Sequence, residues 1–236
     1  MHNGDKSDAA LGKLVNEHLK SLGLETPVVK QNWVEGYPTY LEKDRIDIIA
    51  QCFKRIMTEG LNLDLNDDSM RDTPNRLGKM FVNEIFWGLN YDNFPKCTAI
   101  KNTMSHHDTH GSFVLERNVN VMSTCEHHFV PIDGKACVAY IPKDKVLGLS
   151  KLNRIVEFYS KRPQVQERLT EQIRAALAFV AETDNVAVYI DAAHFCVKTR
   201  GIQDVGSSTV TLSVGGVFAE DRSDIRREFL NLARMP

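Results

Sequence analysis

Ser123-Thr124-Cys125-Glu126-His127-His128-Phe129-Val130-Pro131-Ile132-Asp133-Gly134-Lys135-Ala136 sets a thiol, a carboxylate and two imidazoles in four consecutive positions, then runs into a strand-like segment. Phe113 to Met122 before it and Lys135 to Ile141 after it read as strands, and Asp133-Gly134 between them predicts a turn. Cys125 and His128 stand in Cys-x-x-His spacing, which lets both side chains reach one metal ion from a tight turn. Two ligands do not hold a structural zinc, and no nearby Cys-x-x-Cys completes a finger. A third ligand has to come from elsewhere, and Cys196, in Asp191-Ala192-Ala193-His194-Phe195-Cys196-Val197, is the best candidate. Three protein ligands from two segments leave a fourth position open for water, the arrangement of a catalytic zinc. His127 and His194 would then lie beside the metal, free for proton transfer. His194 precedes Cys196 by two residues, so on a strand both point to one face. Plainer readings stand beside this one. A cysteine next to a strand is often a small buried hydrophobe, Cys125 and Cys196 are also a potential disulfide pair, and adjacent histidines are often a surface pair.

Outward from this stretch the pattern is regular. Lys151 to Tyr159 predicts a short helix, and Gln164 to Glu182 a long one with Val165, Leu169, Ile173, Ala176, Leu177 and Val180 on one face. Asn185 to Ile190 and Ser208 to Val214 read as strands, Gly215-Gly216 as a bulge or turn, and Asp221 to Arg234 as a final helix. The order strand-strand, helix-helix, strand-strand is α+β, with two helices on one face of an antiparallel sheet. Upstream, Asp8 to Leu22 has helical spacing through Leu11, Leu14, Val15, Leu19 and Leu22, with Asp8 as cap and Gly23 as stop. Glu25 to Pro38 reads as an extended linker. Asp44 to Leu63 and Ser69 to Trp87 are helical, the latter with Thr73-Pro74 near its start. The chain thus divides into an N-terminal helical region, 1–100, and a catalytic domain, 101–236. Lys101 to Ser112 carries His106, His107 and His110 without a cysteine and reads as a solvated loop rather than a second metal site.

Composition bounds the function. The chain has 236 residues, 42% of them hydrophobic, enough for a sizeable core. A net charge of -2, from 29 basic and 31 acidic residues, excludes a strongly basic nucleic-acid binder but not a local basic pocket. The polar start, Met1 to Asp8, has no apolar signal core, and no apolar run reaches membrane-spanning length. Five irregularly spaced cysteines make no disulfide framework, so the expectation is a cytoplasmic protein with reduced thiols.

Cys-Glu-His-His at 125–128, then Ser160-Lys161-Arg162-Pro163-Gln164-Val165-Gln166-Glu167-Arg168-Leu169-Thr170, then His194-Phe195-Cys196-Val197-Lys198-Thr199-Arg200-Gly201 resembles GTP cyclohydrolase I of the bacterial, zinc-dependent type. The likeness runs from about Leu61 to the C-terminus. It implies a tunnelling fold, in which subunits join their sheets into a closed barrel, and a homo-oligomer, a decamer built as a toroid of two pentamers. It implies one Zn2+ per subunit on Cys125, His128 and Cys196, and hydrolysis of GTP to 7,8-dihydroneopterin triphosphate and formate, opening pterin and folate synthesis. His127 would protonate purine N7, His194 would move protons around the opening ring and the ribose oxygen, and Ser150 would serve the later ribose rearrangement and ring closure. Glu167 would accept from the guanine ring nitrogen and amino group, and Gln166 would help place the base; without the motif both are ordinary helix-surface polarity. Lys151, Arg154, Arg200, Arg76 and Lys79, each alone a solvated charge, would together hold the triphosphate. No Walker loop is present. Asn75, where the family more often has His, and Cys137, where it has a small residue, are the departures. A pyruvoyl-tetrahydropterin synthase, which uses three histidines on zinc, fits the Cys-His-Cys set less well. A non-catalytic zinc-stabilised assembly protein would need a fourth protein ligand.

Overall fold

In chain order the strands are β1 (Ala99–Lys101), β2 (Val114–Cys125), β3 (Pro131–Tyr140), β4 (Lys145–Leu147), β5 (Pro163–Gln164), β6 (Val186–His194) and β7 (Thr209–Val214). The computed structural model describes residues 6–28, 42–103, 113–220 and 224–235. Its main sheet has the order β5-β2-β3-β6-β7, antiparallel except where the two-residue β5 runs parallel to the end of β2. Strands β1 and β4 form a separate ribbon. The helices are α1 (Ala9–Ser21), α2 (Glu42–Arg55), α3 (Thr73–Met80), α4 (Leu149–Ser160), α5 (Gln166–Ala181), α6 (Phe195–Lys198) and α7 (Asp224–Ala233). The protein is mixed α+β, as the patterning predicts, with α4 and α5 between the two strand pairs.

The chain divides into two compact units, 27–87 and a larger one made of His2–Thr26 with Gly88–Pro236. In the smaller unit α2 and α3 pack together, each continued by a wider turn, Ile56–Gly60 and Phe81–Ile85. Pro74 stands in the first turn of α3, where its missing N–H costs nothing. In the larger unit the Asp8 side chain accepts from Leu11 N at 2.9 Å and caps α1, whose Val15 and Leu19 are fully buried.

The sheet is apolar on both faces. Ala136, Val138, Tyr140, Val186, Val188 and Ile190 alternate onto the face where α4 and α5 pack, and all are fully buried. Their neighbours Cys137, Ala139, Ala187 and Tyr189 turn to the opposite face and join Phe218 and Phe229. Phe229 belongs to α7, so the last helix covers the face that a sheet with helices on one side would leave bare.

Two expectations are corrected. Asp133-Gly134 is not the turn of the first hairpin; both residues lie inside β3, and the chain reverses over 126–130. The glycine serves the sheet instead, because a Cβ at Gly134 would lie 2.2 Å from the Asp191 carbonyl oxygen on β6. Cys196 does not lie on a strand beside His194; β6 ends at His194, and Cys196 sits in the single turn of α6. The linker expected over Glu25 to Pro38 falls largely on residues 29–41, and the histidine loop on 104–112, both outside the described residues.

Register gathers the chemistry at one end of the sheet. Thr124 pairs with Pro131, Ile132 with His194, and Cys125 with Gln164, two residues before α5 begins its first turn at Gln166. The opposite end of β3 is Tyr140, whose hydroxyl accepts from Leu147 N at 2.8 Å just before α4 begins. Ten residues of β3 separate the two ends by about 30 Å at about 3.3 Å per residue.

Candidate metal centre

The turn after β2 is closed by two backbone hydrogen bonds of 2.9 Å, Cys125 N to Val130 O and Phe129 N to Cys125 O. Phe129 takes a left-handed conformation, φ 51°, which a non-glycine residue adopts at a cost. Cys125 is buried at the strand end, while His128 is exposed on the turn. From the other side, α6 brings Cys196 in, and Thr199 Oγ1 donates to Phe195 O at 2.7 Å to close that turn. One ligand atom from each of Cys125, His128 and Cys196 lies within 4.8 Å of the others. A tetrahedral zinc with Zn–S near 2.3 Å sets its sulfurs about 3.8 Å apart, so the group stands close to ligand spacing.

The donor set fits zinc. Two thiols and an imidazole are its usual partners, and three of them leave a coordination position for water. Arg200 Nη1 donates to His128 Nε2 at 2.8 Å, so that nitrogen is an acceptor whose lone pair a metal ion would take in place of the arginine. Burial, followed by the hydrogen bond and charge of Cys125, pushes the Cys196 thiol up. A divalent cation reverses that logic by favouring the thiolate.

His127 is not one of that group. Its Nδ1 is 3.9 Å from Cys125 Sγ, its Nε2 is 3.9 Å from Glu126 Oε1, and its side chain is 63% exposed. Glu126 is itself held by Arg168 on α5, whose Nε also donates to Gln164 Oε1 at 3.2 Å.

Gln166 is almost completely buried. Its Nε2 faces Thr209 O at 2.8 Å, Thr211 Oγ1 at 3.1 Å and Ile190 O at 3.2 Å, and its Oε1 lies 2.7 Å from His194 Nε2. Backbone carbonyls only accept, so the amide nitrogen must face them and Oε1 must face the imidazole. His194 therefore donates from Nε2, and in the neutral ring the lone pair sits on Nδ1. Burial lowers the His194 pKa and so favours the neutral ring, against the charge of Glu167, which raises it. Glu167 is exposed on the first turn of α5.

Three of the remaining predicted residues stand at the other end of the sheet within one chain. Ser150, Lys151 and Arg154 stand on the first turns of α4, at the Tyr140 end of the sheet. Lys151 and Arg154 act there on Cys97, lowering a thiol pKa that burial has pushed up to about 12. Arg76 and Lys79 belong to α3 in the smaller unit, both exposed, with Arg76 Nε 3.4 Å from Asp72 Oδ2. Sequence reasoning overlooked Arg168, Gln164 and Thr211, which fix Glu126 and Gln166. The signal for Gln164 and Arg168 is the polar cluster Gln164, Gln166, Glu167, Arg168 where the chain passes from strand to helix; Thr211 has none.

Comparison with known proteins bears on this geometry. A family model described as GTP cyclohydrolase I matches residues 49–234. The chain is 53% identical over 216 residues to the GTP cyclohydrolase 1 of Haemophilus influenzae, covering 92% of this chain and 93% of that protein. It is 52% identical over 223 residues to the GTP cyclohydrolase 1 of Yersinia enterocolitica, covering 94% and 95%. Over 222 residues it is 52% identical to that of Yersinia pseudotuberculosis, covering 94% and 95%.

Proposed function

The chain belongs to the GTP cyclohydrolase I family, and from that premise we propose that it hydrolyses GTP at purine C8, opens the imidazole ring, releases formate and recloses the product as 7,8-dihydroneopterin triphosphate. This is the first step of pterin and tetrahydrofolate synthesis. The observation that carries the reading is the convergence of Cys125, His128 and Cys196 within 4.8 Å at the sheet end that also holds His194 and the start of α5. These three residues would hold one zinc per subunit. Zinc bound there supplies Lewis acidity that activates water for attack at neutral pH.

The chain's own groups do the rest. His127, exposed and off the ligand group, delivers a proton to N7 as C8 becomes tetrahedral. His194, held neutral with its lone pair on Nδ1, moves protons around the opening ring and the ribose oxygen. Gln166 acts through His194, whose tautomer it sets. Glu167 accepts from the guanine N1–H and amino group, and so discriminates against adenine, which would leave that carboxylate unpaired. Ser150 serves the ribose rearrangement. Lys151, Arg154, Arg200, Arg76 and Lys79 neutralise the triphosphate, arginine in bidentate contacts and lysine as a point charge.

The site is shared between copies of the chain. Ser150, Lys151 and Arg154 lie at the far end of the sheet from Cys125, so they serve the metal centre of a neighbour. The sheet invites that neighbour at both edges: β5 covers only Thr124 and Cys125 of the twelve-residue β2, and β7 is an edge strand with Thr209 and Val210 exposed. Such edges are stable when paired. Closure into the barrel of the tunnelling fold, with ten subunits as two stacked pentamers, satisfies them. Among the described residues no helix is long and apolar enough to cross a membrane, and we place the enzyme in the cytoplasm. Incubation with GTP should yield formate and, after oxidation, a fluorescent pterin. A zinc-loaded, assembled protein that releases no formate refutes the reading.

A further inference from the structure

The largest fully buried side chain among the described residues is an arginine, Arg162. Its Nη1 donates to Glu25 Oε1 at 2.7 Å, and its guanidinium lies 4.6 Å from the ring centroid of Tyr91 and 4.7 Å from those of Phe158 and Tyr159. Glu25 Oε2 accepts from Tyr91 Oη at 2.5 Å. Nε and Nη2 of Arg162 have no hydrogen-bond partner among the described residues, so Glu25 is the one carboxylate that balances this charge. A buried charge is tolerated when paired and strongly unfavourable when its partner is removed.

What Arg162 adjoins gives the pair its meaning. The Arg162 carbonyl accepts from Ser123 Oγ at 3.4 Å. The next two residues are β5, which among the described residues pairs with Thr124 and Cys125 alone, and Gln164 O then accepts from Glu126 N at 3.0 Å. The segment that sets the register of the metal turn is therefore anchored by the arginine at its head. A second route leads to the same place. Gln164 Nε2 donates to Gln172 Oε1 at 2.7 Å, and Gln172 Nε2 donates to Leu24 O at 2.7 Å and Thr26 Oγ1 at 3.2 Å.

We infer that Leu24–Thr26 is a positioning strap for the metal centre: through Glu25–Arg162 and Gln172–Gln164 it fixes β5, and through β5 the Cys125 ligand and the start of α5. Glu25 and Arg162 are positioning residues that touch neither metal nor substrate. The inference rests on the metal reading proposed above.

The test uses the assembled full-length protein loaded with zinc and measures zinc release to a chromophoric chelator alongside the thermal midpoint. Glu25→Gln keeps the volume and removes the charge; it should release zinc roughly 10–100-fold faster, as loss of groups that orient ligands does. Glu25→Asp, which keeps the charge, should recover most of that loss; if Glu25→Gln does not fold, Gln172→Leu, which cuts the second route to β5, carries the test, with faster zinc release expected and wild-type release overturning the strap. Phe229→Ala, in the core on the opposite face of the sheet, lowers the midpoint without touching the strap and should release zinc at the wild-type rate. Wild-type release from both Glu25 variants, or equal acceleration in Phe229→Ala, overturns the strap alone. A wild-type protein that takes up no zinc overturns the metal reading and the strap with it.

Discussion

Replacing Gly134 by alanine places a methyl carbon 2.2 Å from the Asp191 carbonyl oxygen, 2.4 Å from Ala192 Cβ and 2.5 Å from Ala192 Cα. None of these atoms is the end of a flexible side chain, so the collision is relieved only if β3 and β6 part by roughly 1 Å, the kind of strain that makes overpacking destabilising. Gly134 pairs with Ala192, and His194 pairs with Ile132 two residues along, so the strain falls beside the candidate site. With backbone as the obstacle, the cost belongs at the upper end of overpacking effects, about 3 kcal/mol. For a chain of this length that is a drop of roughly 6–12 °C in thermal midpoint. The comparator is Gly60→Ala, where the added carbon meets nothing within 4 Å; it should raise the midpoint by roughly 1–4 °C through the unfolded state. Differential scanning calorimetry at one protein concentration reads both, and formate release reads the site. A Gly134→Ala midpoint within about 2 °C of wild type would refute the close-approach reading of this glycine.

Cys196→Ala should lose most of its zinc by metal analysis; full retention removes Cys196 from the ligand set. His127→Ala should keep its zinc while turnover falls roughly 10²–10⁴-fold, and loss of metal in step with activity would make His127 a ligand instead. Inactive Ser150→Ala and Cys196→Ala chains, co-refolded, should regain about a quarter of wild-type activity, since random mixing gives about one site in four both intact groups; no recovery argues that one chain supplies both. Tyr91 has its pKa raised to about 12, chiefly by burial, so its neutral form is the folded one. The stability it contributes is present in full below pH 10 and is lost as pH rises towards 12. Unfolding midpoints should therefore fall across that window, and Tyr91→Phe should flatten the fall; an unchanged slope removes Tyr91 as the cause.

Much of this was readable from residue patterns because local chemistry sufficed. Asp8 caps α1 because its side chain reaches Leu11 N, a contact within one turn. The Cys-x-x-His spacing announces a tight turn, and α5 declares itself by its apolar stripe. What escaped depends on distant partners. Asp133-Gly134 has the chemistry of a hairpin turn, but the glycine answers to Asp191 and Ala192 on another strand. Cys196 follows a strand closely enough to be counted in it, yet the chain leaves the sheet after His194, whose Nε2 is engaged by Gln166 from α5. Ser150, Lys151 and Arg154 are expected at the nucleotide by resemblance, in a homo-oligomer, and the direction of β3 and α4 shows that one chain keeps them at the sheet end away from Cys125. Arg162 stands in the Ser160–Thr170 stretch with nothing to mark it, because burial of a guanidinium has no signature in sequence.

The Glu25–Arg162 pair also has a temporal side. Its two members are separated by 137 positions. At translation rates of about 5–20 residues per second, Glu25 emerges from the ribosome roughly 7–27 s before its arginine exists. Tyr91 follows Glu25 by 66 positions, so for the first part of that interval the carboxylate has neither partner, and for the rest it has the Tyr91 hydroxyl but not the arginine. The first helix to be synthesised must therefore wait, solvated, while the sheet is made, and the segment beside the Cys125 turn locks only when the oldest part of the chain comes back to it. Truncating or occupying the N-terminus during synthesis would thus strike the last step of assembly rather than the first.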